Sequence, residues 1–247
     1  VTAADTATPT ELTPEQLQAL DVARSLAAAG IPIFLAEPDS TSKIGFRLPG
    51  GKRPTGERLP GWQETAPDPS VVDSWRPGMA LCAVMGCGVD LIDVDPRNGG
   101  DAAIMNGSTP VSYAAAFTPS GGVHSFIRSL GAGSHDNVYP GIDVKGGRPD
   151  GTGRGFAFIA PTVRVSKVTG EPEAYRWAQA PDLERLAAAA EDNSGAALAD
   201  RIREVFSNTG VQKTGGPDWW QAFVLAKEPT SAPAAERAIN EKLAEVE

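Results

Sequence analysis

Asp93 and Asp95 close a mostly apolar run, Val84 to Val94, that stops at Pro96. The run reads as a buried strand, because a proline cannot donate to a central ladder. Side chains alternate along a strand, so the two carboxylates share one face and Val94 takes the other. Carboxylates side by side repel each other, and holding both at a sheet surface costs stability unless cations sit between them. Hard oxygen ligands of this kind suit Mg²⁺ or Mn²⁺, ions that commonly serve enzymes binding nucleotide phosphates. Taken alone, the pair is more simply an acidic strand end at the surface. The segments downstream change that balance.

Thr118-Pro119-Ser120-Gly121-Gly122-Val123-His124 sets a histidine just after a glycine turn, whose exposed backbone N–H groups could meet phosphate oxygens. Gly141-Ile142-Asp143-Val144-Lys145-Gly146-Gly147 offers a third carboxylate, again at a strand end beside glycines. Each has a plain structural alternative: a core histidine, hairpin glycines, a turn aspartate. Asp, Asp, His and Asp in that order, each framed by Gly-rich turns, is a constellation and not a set of isolated residues.

The elements that must position these groups are legible in outline. Thr13-Pro14-Glu15-Gln16 starts a helix, with Thr13 as cap and Gln16 three residues on; Leu17, Leu20, Ala23 and Leu26 or Ala27 follow at helical spacing until Gly30. Ile31 to Leu35 reads as a strand, 37–62 as a long basic loop ending in Gly61-Trp62, and Asp68-Pro69 as the start of a second helix carrying Val71, Val72 and Trp75. Strands are expected at 80–84, 89–94, 114–118, 123–128, 141–145, 155–160 and 174–177, with a turn at Asn98-Gly99-Gly100 and a short helix over 101–106. Strands mixed with few helices and several hairpin-like turns predict an α+β fold, with mixed sheets flanked by helices, and not a regular βαβ array. Composition turns helix-forming at Pro181. The expected organisation is a mobile leader over 1–11, a main domain over 12–180 and a small helical accessory bundle over 181–247.

The net charge is −9, which argues against tight binding to long duplex DNA. The acidic excess lies in 1–30 and 181–247, however, and the middle of the chain is close to neutral. Lys43, Arg47, Lys52, Arg53 and Arg58 form a local basic patch that could hold a nucleotide or a short strand. Two cysteines, Cys82 and Cys87, with His124 and His135, make no convincing zinc ligand set, so no zinc is expected and a reducing, cytoplasmic setting fits. Nothing approaches about 18 consecutive apolar residues, so no membrane span is expected.

Between about Ala28 and Trp177 the chain resembles the bifunctional DNA primase/polymerase (prim-pol) domain of the archaeo-eukaryotic primase superfamily. The resemblance rests on Gly30-Ile31-Pro32-Ile33-Phe34, Gly51-Lys52-Arg53-Pro54, Gly61-Trp62, the Asp93/Asp95 strand, the Thr118–His124 segment, Gly141-Ile142-Asp143, Ile159-Ala160-Pro161 and Tyr175-Arg176-Trp177. It implies template-directed nucleotidyl transfer that makes primers de novo on single-stranded DNA and extends them. Asp93, Asp95 and Asp143 would hold two Mg²⁺ or Mn²⁺ ions, which stabilise the attacking and leaving oxygens. His124 would contact the phosphates of the nucleoside triphosphate, Ser120, Gly121 and Gly122 would shape their cradle, and Lys145 would be a further triphosphate contact. Lys52 and Arg53 match a family motif without showing whether they hold template or nucleotide. Lys213, Trp219, Trp220 and Lys227 are either a grip for template or nucleotide, or core tryptophans with solvated lysines. Many relatives open a phage or plasmid replication protein whose later part is a helicase, so a helicase domain in the same chain, and the host cytoplasm as its setting, are implied. Two alternatives remain: a catalytically idle replication module that binds nucleic acid, and a D-x-D nucleotide-sugar transferase, which would not require the later His124 and Asp143 segments.

Overall fold

Helix α1 (Pro14–Ala28) begins at a reciprocal cap: Thr13 Oγ1 accepts from the Gln16 N–H at 3.2 Å, and Gln16 Oε1 accepts from the Thr13 N–H at 2.9 Å. Such a cap contributes about 1 kcal/mol. The buried face comprises Ala19, Leu20, Ala23, Leu26 and Ala27, whereas Leu17, expected on that stripe, is 50% exposed. The structure, a computed structural model, describes residues 11–52, 55, 58–105, 107–188 and 192–207.

The chain continues through β1 (Ile33–Pro38), β2 (Phe46–Arg47), β3 (Gly51–Lys52), β4 (Arg58–Leu59), β5 (Ala80–Val84), β6 (Val89–Val94), β7 (Ser112–Phe117) and β8 (Val123–Arg128). It then forms β9 (His135–Tyr139), β10 (Ile142–Lys145), β11 (Phe156–Ile159), β12 (Val163–Val165), β13 (Pro172–Ala174), β14 (Arg176–Gln179) and helices α2 (Leu183–Ala188) and α3 (Ala196–Ser207). Two antiparallel sheets result, one ordered β11-β5-β1-β2 and the other β14-β7-β8-β6-β10-β9, with the small hairpins β3-β4 and β12-β13 beside them. The fold is α+β, as the mixture of strands and few helices predicted.

Local pattern and structure part at a few elements. The helix expected from Asp68 is a 3-10 segment, Pro69–Ser74, capped by the Asp68 carboxylate. The basic loop contains β2, β3 and β4, and Lys52 pairs with Arg58 in the β3-β4 hairpin. Strand β9, His-Asp-Asn-Val-Tyr, carries almost no apolar pattern because only Val138 is buried, so nothing local announces it.

The first sheet and α1 pack on one face of the second sheet: Ile33, Leu81, Ala83, Ala157 and Ile159 meet Leu91, Ala114, Ala116 and Phe126. The opposite face of the second sheet presents Ile92, Ile127, Val138, Ile142 and Val144, and these are covered by Leu198 and Ile202 of α3. Strand β6 is therefore sandwiched, which is why it reads as a continuous apolar run and not as an alternation.

Packing continues across Pro181, where the expected boundary lies. Leu183 and Leu186 lean on the core between the sheets, the Asp182 N–H bonds the Tyr113 carbonyl at 2.9 Å, and Tyr113 Oη donates to Asp192 at 2.5 Å. By its contacts the chain divides between Phe206 and Ser207. Of the expected leader over 1–11, residues 1–10 lie outside the described residues, as do the expected bundle beyond residue 207 and with it Lys213, Trp219, Trp220 and Lys227. No described helix is long and apolar enough to cross a membrane.

Candidate active site

Strand register assembles the site. Asp93 stands opposite His124 of β8 on one side and opposite Asp143 of β10 on the other, and His124 in turn stands opposite Ala116 of β7. Directly paired residues share a face at about 4.5 to 5.5 Å between Cβ atoms. Asp143, Asp93, His124 and Ala116 thus form one row across four strands, on the face that also carries Leu91 and Phe126. Further along that face the sheets are packed; at this row the carboxylates are reached by solvent, with the Asp93 and Asp143 side chains 30% and 29% exposed.

Electrostatics follow from that crowding. Burial, and next the Asp143 carboxylate, push the Asp93 carboxyl up to about 6, while Lys145 pulls the other way. Burial and then the charge of Lys145 push His124 down to about 4, so its imidazole is neutral at pH 7. Its Nε2 lies 3.6 Å from Asp93 Oδ1, and its Nδ1 is buried with no hydrogen bond of ordinary geometry, the ring lying beside the Phe158 backbone. Lys145 Nζ bridges Asp143 Oδ2 at 3.0 Å and Asp136 Oδ1 at 2.7 Å. Burial works against the Lys145 charge, yet those two carboxylates outweigh it and hold the ammonium above the usual lysine range. The Asn137 N–H donates to Asp143 Oδ1 at 2.8 Å, fixing that carboxylate from β9.

Asp95 is the outlier among the expected ligands. Its side chain caps the 3-10 turn Pro96–Asn98, and both oxygens are engaged: Oδ1 by the Arg97 N–H at 3.1 Å and Nε at 3.0 Å, Oδ2 by Arg97 Nη2 at 2.5 Å and Asn98 Nδ2 at 3.0 Å. Among the described residues no three His, Cys, Asp or Glu side chains are gathered closely enough to hold a metal ion. The donor chemistry nevertheless fits a hard divalent cation. Asp93 and Asp143 are adjacent and mutually repelling, and Asp95 is close enough to add to the load on Asp93.

The glycine turn plays a different part from the one its composition suggests. The Gly121 N–H bonds the Thr118 carbonyl at 3.1 Å and the Gly122 N–H bonds Thr118 Oγ1 at 3.0 Å, so both donors are spent inside the turn. Ser120 Oγ accepts from the Lys167 N–H at 3.0 Å. A Cβ on Gly122 would stand 2.7 Å from the Val94 carbonyl oxygen, so the residue is glycine to let the turn close against the end of β6. The turn therefore places His124 and buttresses Asp95. Lys52 is described only through its backbone, and Arg53 lies outside the described residues.

Four contributors escape a reading of the sequence. Arg97 holds Asp95, and Asn137 and Asp136 of β9 hold Asp143 and Lys145. Arg164 of β12 lies 4.8 Å over the Phe158 ring, and its charge, after burial and Lys145, adds to the lowering of the His124 pKa; the Tyr175 ring is 5.5 Å from His124. Only Arg97 had a local signal, being two residues from an acid in a turn.

Residues 23–192 match the family model described as bifunctional DNA primase/polymerase, N-terminal, and the chain belongs to that family. No curated protein matches the chain.

Proposed function

We propose that this domain is a template-directed nucleotidyltransferase that starts primers on single-stranded DNA and extends them as a DNA polymerase. Membership of the primase/polymerase family supports the general activity; the row Asp143–Asp93–His124 is the observation that carries the reading to these residues. Asp93 and Asp143, with Asp95 once it parts from Arg97, would hold Mg²⁺ or Mn²⁺. When bound, such ions neutralise charge on phosphoryl oxygens and ease deprotonation of an attacking hydroxyl. His124, neutral and fixed between Asp93 and Tyr175, offers a ring N–H to phosphate oxygens without drawing the carboxylates into an ion pair. Lys145 supplies positive charge beside Asp143, and the Ser120–Gly122 turn holds His124 in place.

The catalytic unit is proposed to extend through α3, since its apolar face seals the back of β6, β8 and β10. The proposed setting is phage or plasmid replication in the cytoplasm, with nucleoside triphosphates and single-stranded DNA as substrates and a helicase domain in the same protein. The engagement of Asp95 by Arg97 favours one second reading, a catalytically idle module that binds nucleic acid.

Incubation with single-stranded DNA, labelled nucleotides and Mg²⁺ or Mn²⁺ separates the two. New oligonucleotides without a supplied primer, lost in Asp93→Ala and Asp143→Ala, are expected. Binding of template with no product under either ion would establish the idle module.

A further inference from the structure

We infer that Arg97 is a positioning residue that bars the metal site until nucleotide arrives, so that divalent ion and nucleoside triphosphate load together. This rests on the nucleotidyl-transfer reading of the same site. An ionised carboxylate offers about four lone-pair directions. In Asp95 four donors occupy them: the Arg97 N–H, Arg97 Nε and Nη2, and Asn98 Nδ2. A metal ion can reach Asp95 only if a donor leaves. The backbone N–H and Asn98 belong to the turn itself, whereas the Arg97 guanidinium sits on a three-methylene tether and is the charged, movable member.

Charge makes the barrier conditional. The three acids Asp93, Asp95 and Asp143 already face two internal cations, Arg97 and Lys145, bonded to Asp95 and Asp143 respectively. Bringing a divalent ion in alone strands the guanidinium beside another positive charge. Bringing it in with a triphosphate supplies anionic oxygens that the freed fork can take bidentately, the geometry guanidinium and phosphate share. Metal and nucleotide binding are then coupled, each strengthening the other by the same factor.

The experiment measures Mn²⁺ affinity by calorimetry for the wild type, Arg97→Gln, Arg97→Lys and Asp93→Asn, with and without an α,β-methylene nucleoside triphosphate that cannot react. Thermal melts confirm that each variant is folded. Wild type binds Mn²⁺ weakly alone and more tightly with the analogue. Arg97→Gln binds Mn²⁺ alone about tenfold more tightly than wild type and gains correspondingly less from the analogue, within the span usual for coupled sites. Arg97→Lys, which keeps the charge and loses the fork, falls between.

Arg97→Gln with unchanged or weaker Mn²⁺ affinity overturns the proposal, as does Arg97→Lys identical to wild type while Arg97→Gln rises, since the effect is then a diffuse field and not occupancy of Asp95. If Asp93→Asn abolishes Mn²⁺ binding and Arg97→Gln does not raise it, the barrier alone fails. If Asp93→Asn leaves Mn²⁺ binding untouched, the metal is elsewhere and the reading of the active site fails with it.

Discussion

Asp93→Asn should make the metal-free protein more stable while removing its response to divalent ions. The carboxyl of Asp93 is pushed up to about 6, first by burial and then by Asp143 across the β6-β10 ladder. Against an ordinary aspartate near 3.9 that displacement corresponds to roughly 3 kcal/mol opposing ionisation at neutral pH. The side chain is 30% exposed, and solvent and salt screen part of the repulsion, so about 1 to 2 kcal/mol is a fair expectation. For a domain of this size that raises the melting temperature by about 2 to 8 °C. Thermal melts in EDTA at pH 7.5 test the gain, and melts with the unreactive nucleoside triphosphate analogue present test its counterpart: wild type rises on adding Mn²⁺ and Asp93→Asn does not. The pH dependence has a definite sign. A carboxyl whose folded pKa is raised contributes stability that is complete below the unfolded value and lost as pH rises through the folded one. The advantage of Asp93→Asn should therefore be largest above about pH 6 and shrink towards zero near pH 4. A variant less stable than wild type in EDTA at pH 7.5, or one that still gains equally from Mn²⁺, would refute the account of Asp93 as a strained ligand.

His124→Ala should weaken use of the nucleoside triphosphate about tenfold or more while leaving template binding within a factor of two, because one hydrogen bond to a charged phosphate is worth roughly 1.5 to 3 kcal/mol; steady-state kinetics at varied nucleotide check it, and an unchanged KM returns His124 to a purely structural role. Asp90 is buried and its pKa is pushed up to about 6 by burial, against hydrogen bonds from the Leu130 N–H at 2.7 Å and Ser129 Oγ at 3.0 Å. The stability difference between Asp90→Asn and wild type should accordingly shift in the variant's favour as pH rises from 4 to 7 in denaturant titrations; a difference that stays flat or moves the other way means that the hydrogen bonds outweigh burial. Truncation after Ala180 uncovers the surface under Leu198 and Ile202, which are 0% and 2% exposed. Single Leu→Ala changes at such sites cost about 2 to 5 kcal/mol, so the chain ending at Ala180 should lose its cooperative unfolding transition while one ending at Ser207 keeps it. An intact transition in the shorter chain places the boundary back at Pro181.

Much of the scaffold is written locally. The reciprocal cap at Thr13 and Gln16 marks the start of α1, and the glycines and Pro96 bracket β5 and β6 at 80–84 and 89–94, where the structure has them. A common face for Asp93 and Asp95 is what the period of two predicts, whereas β6 ends at Val94 and Asp95 caps the turn that follows. What a period cannot supply is the neighbour. That Asp143 and His124 flank Asp93 depends on the order β8-β6-β10 and on a register set far away in sequence, where Ile92, Ile127, Ile142 and Val144 must meet Leu198 and Ile202. One residue of slip would turn every side chain of the row to the opposite face. Local turn geometry decided the fate of groups whose types looked functional by themselves. Gly121 and Gly122 spend their N–H groups on Thr118 in their own turn, and Asp95 is engaged by Arg97 two residues on, because a donor or carboxylate takes the nearest partner in space. The helices α2 and α3 after Pro181 show what tertiary structure adds: their composition announced helix, but only the back of the second sheet gave α3 an apolar face to cover.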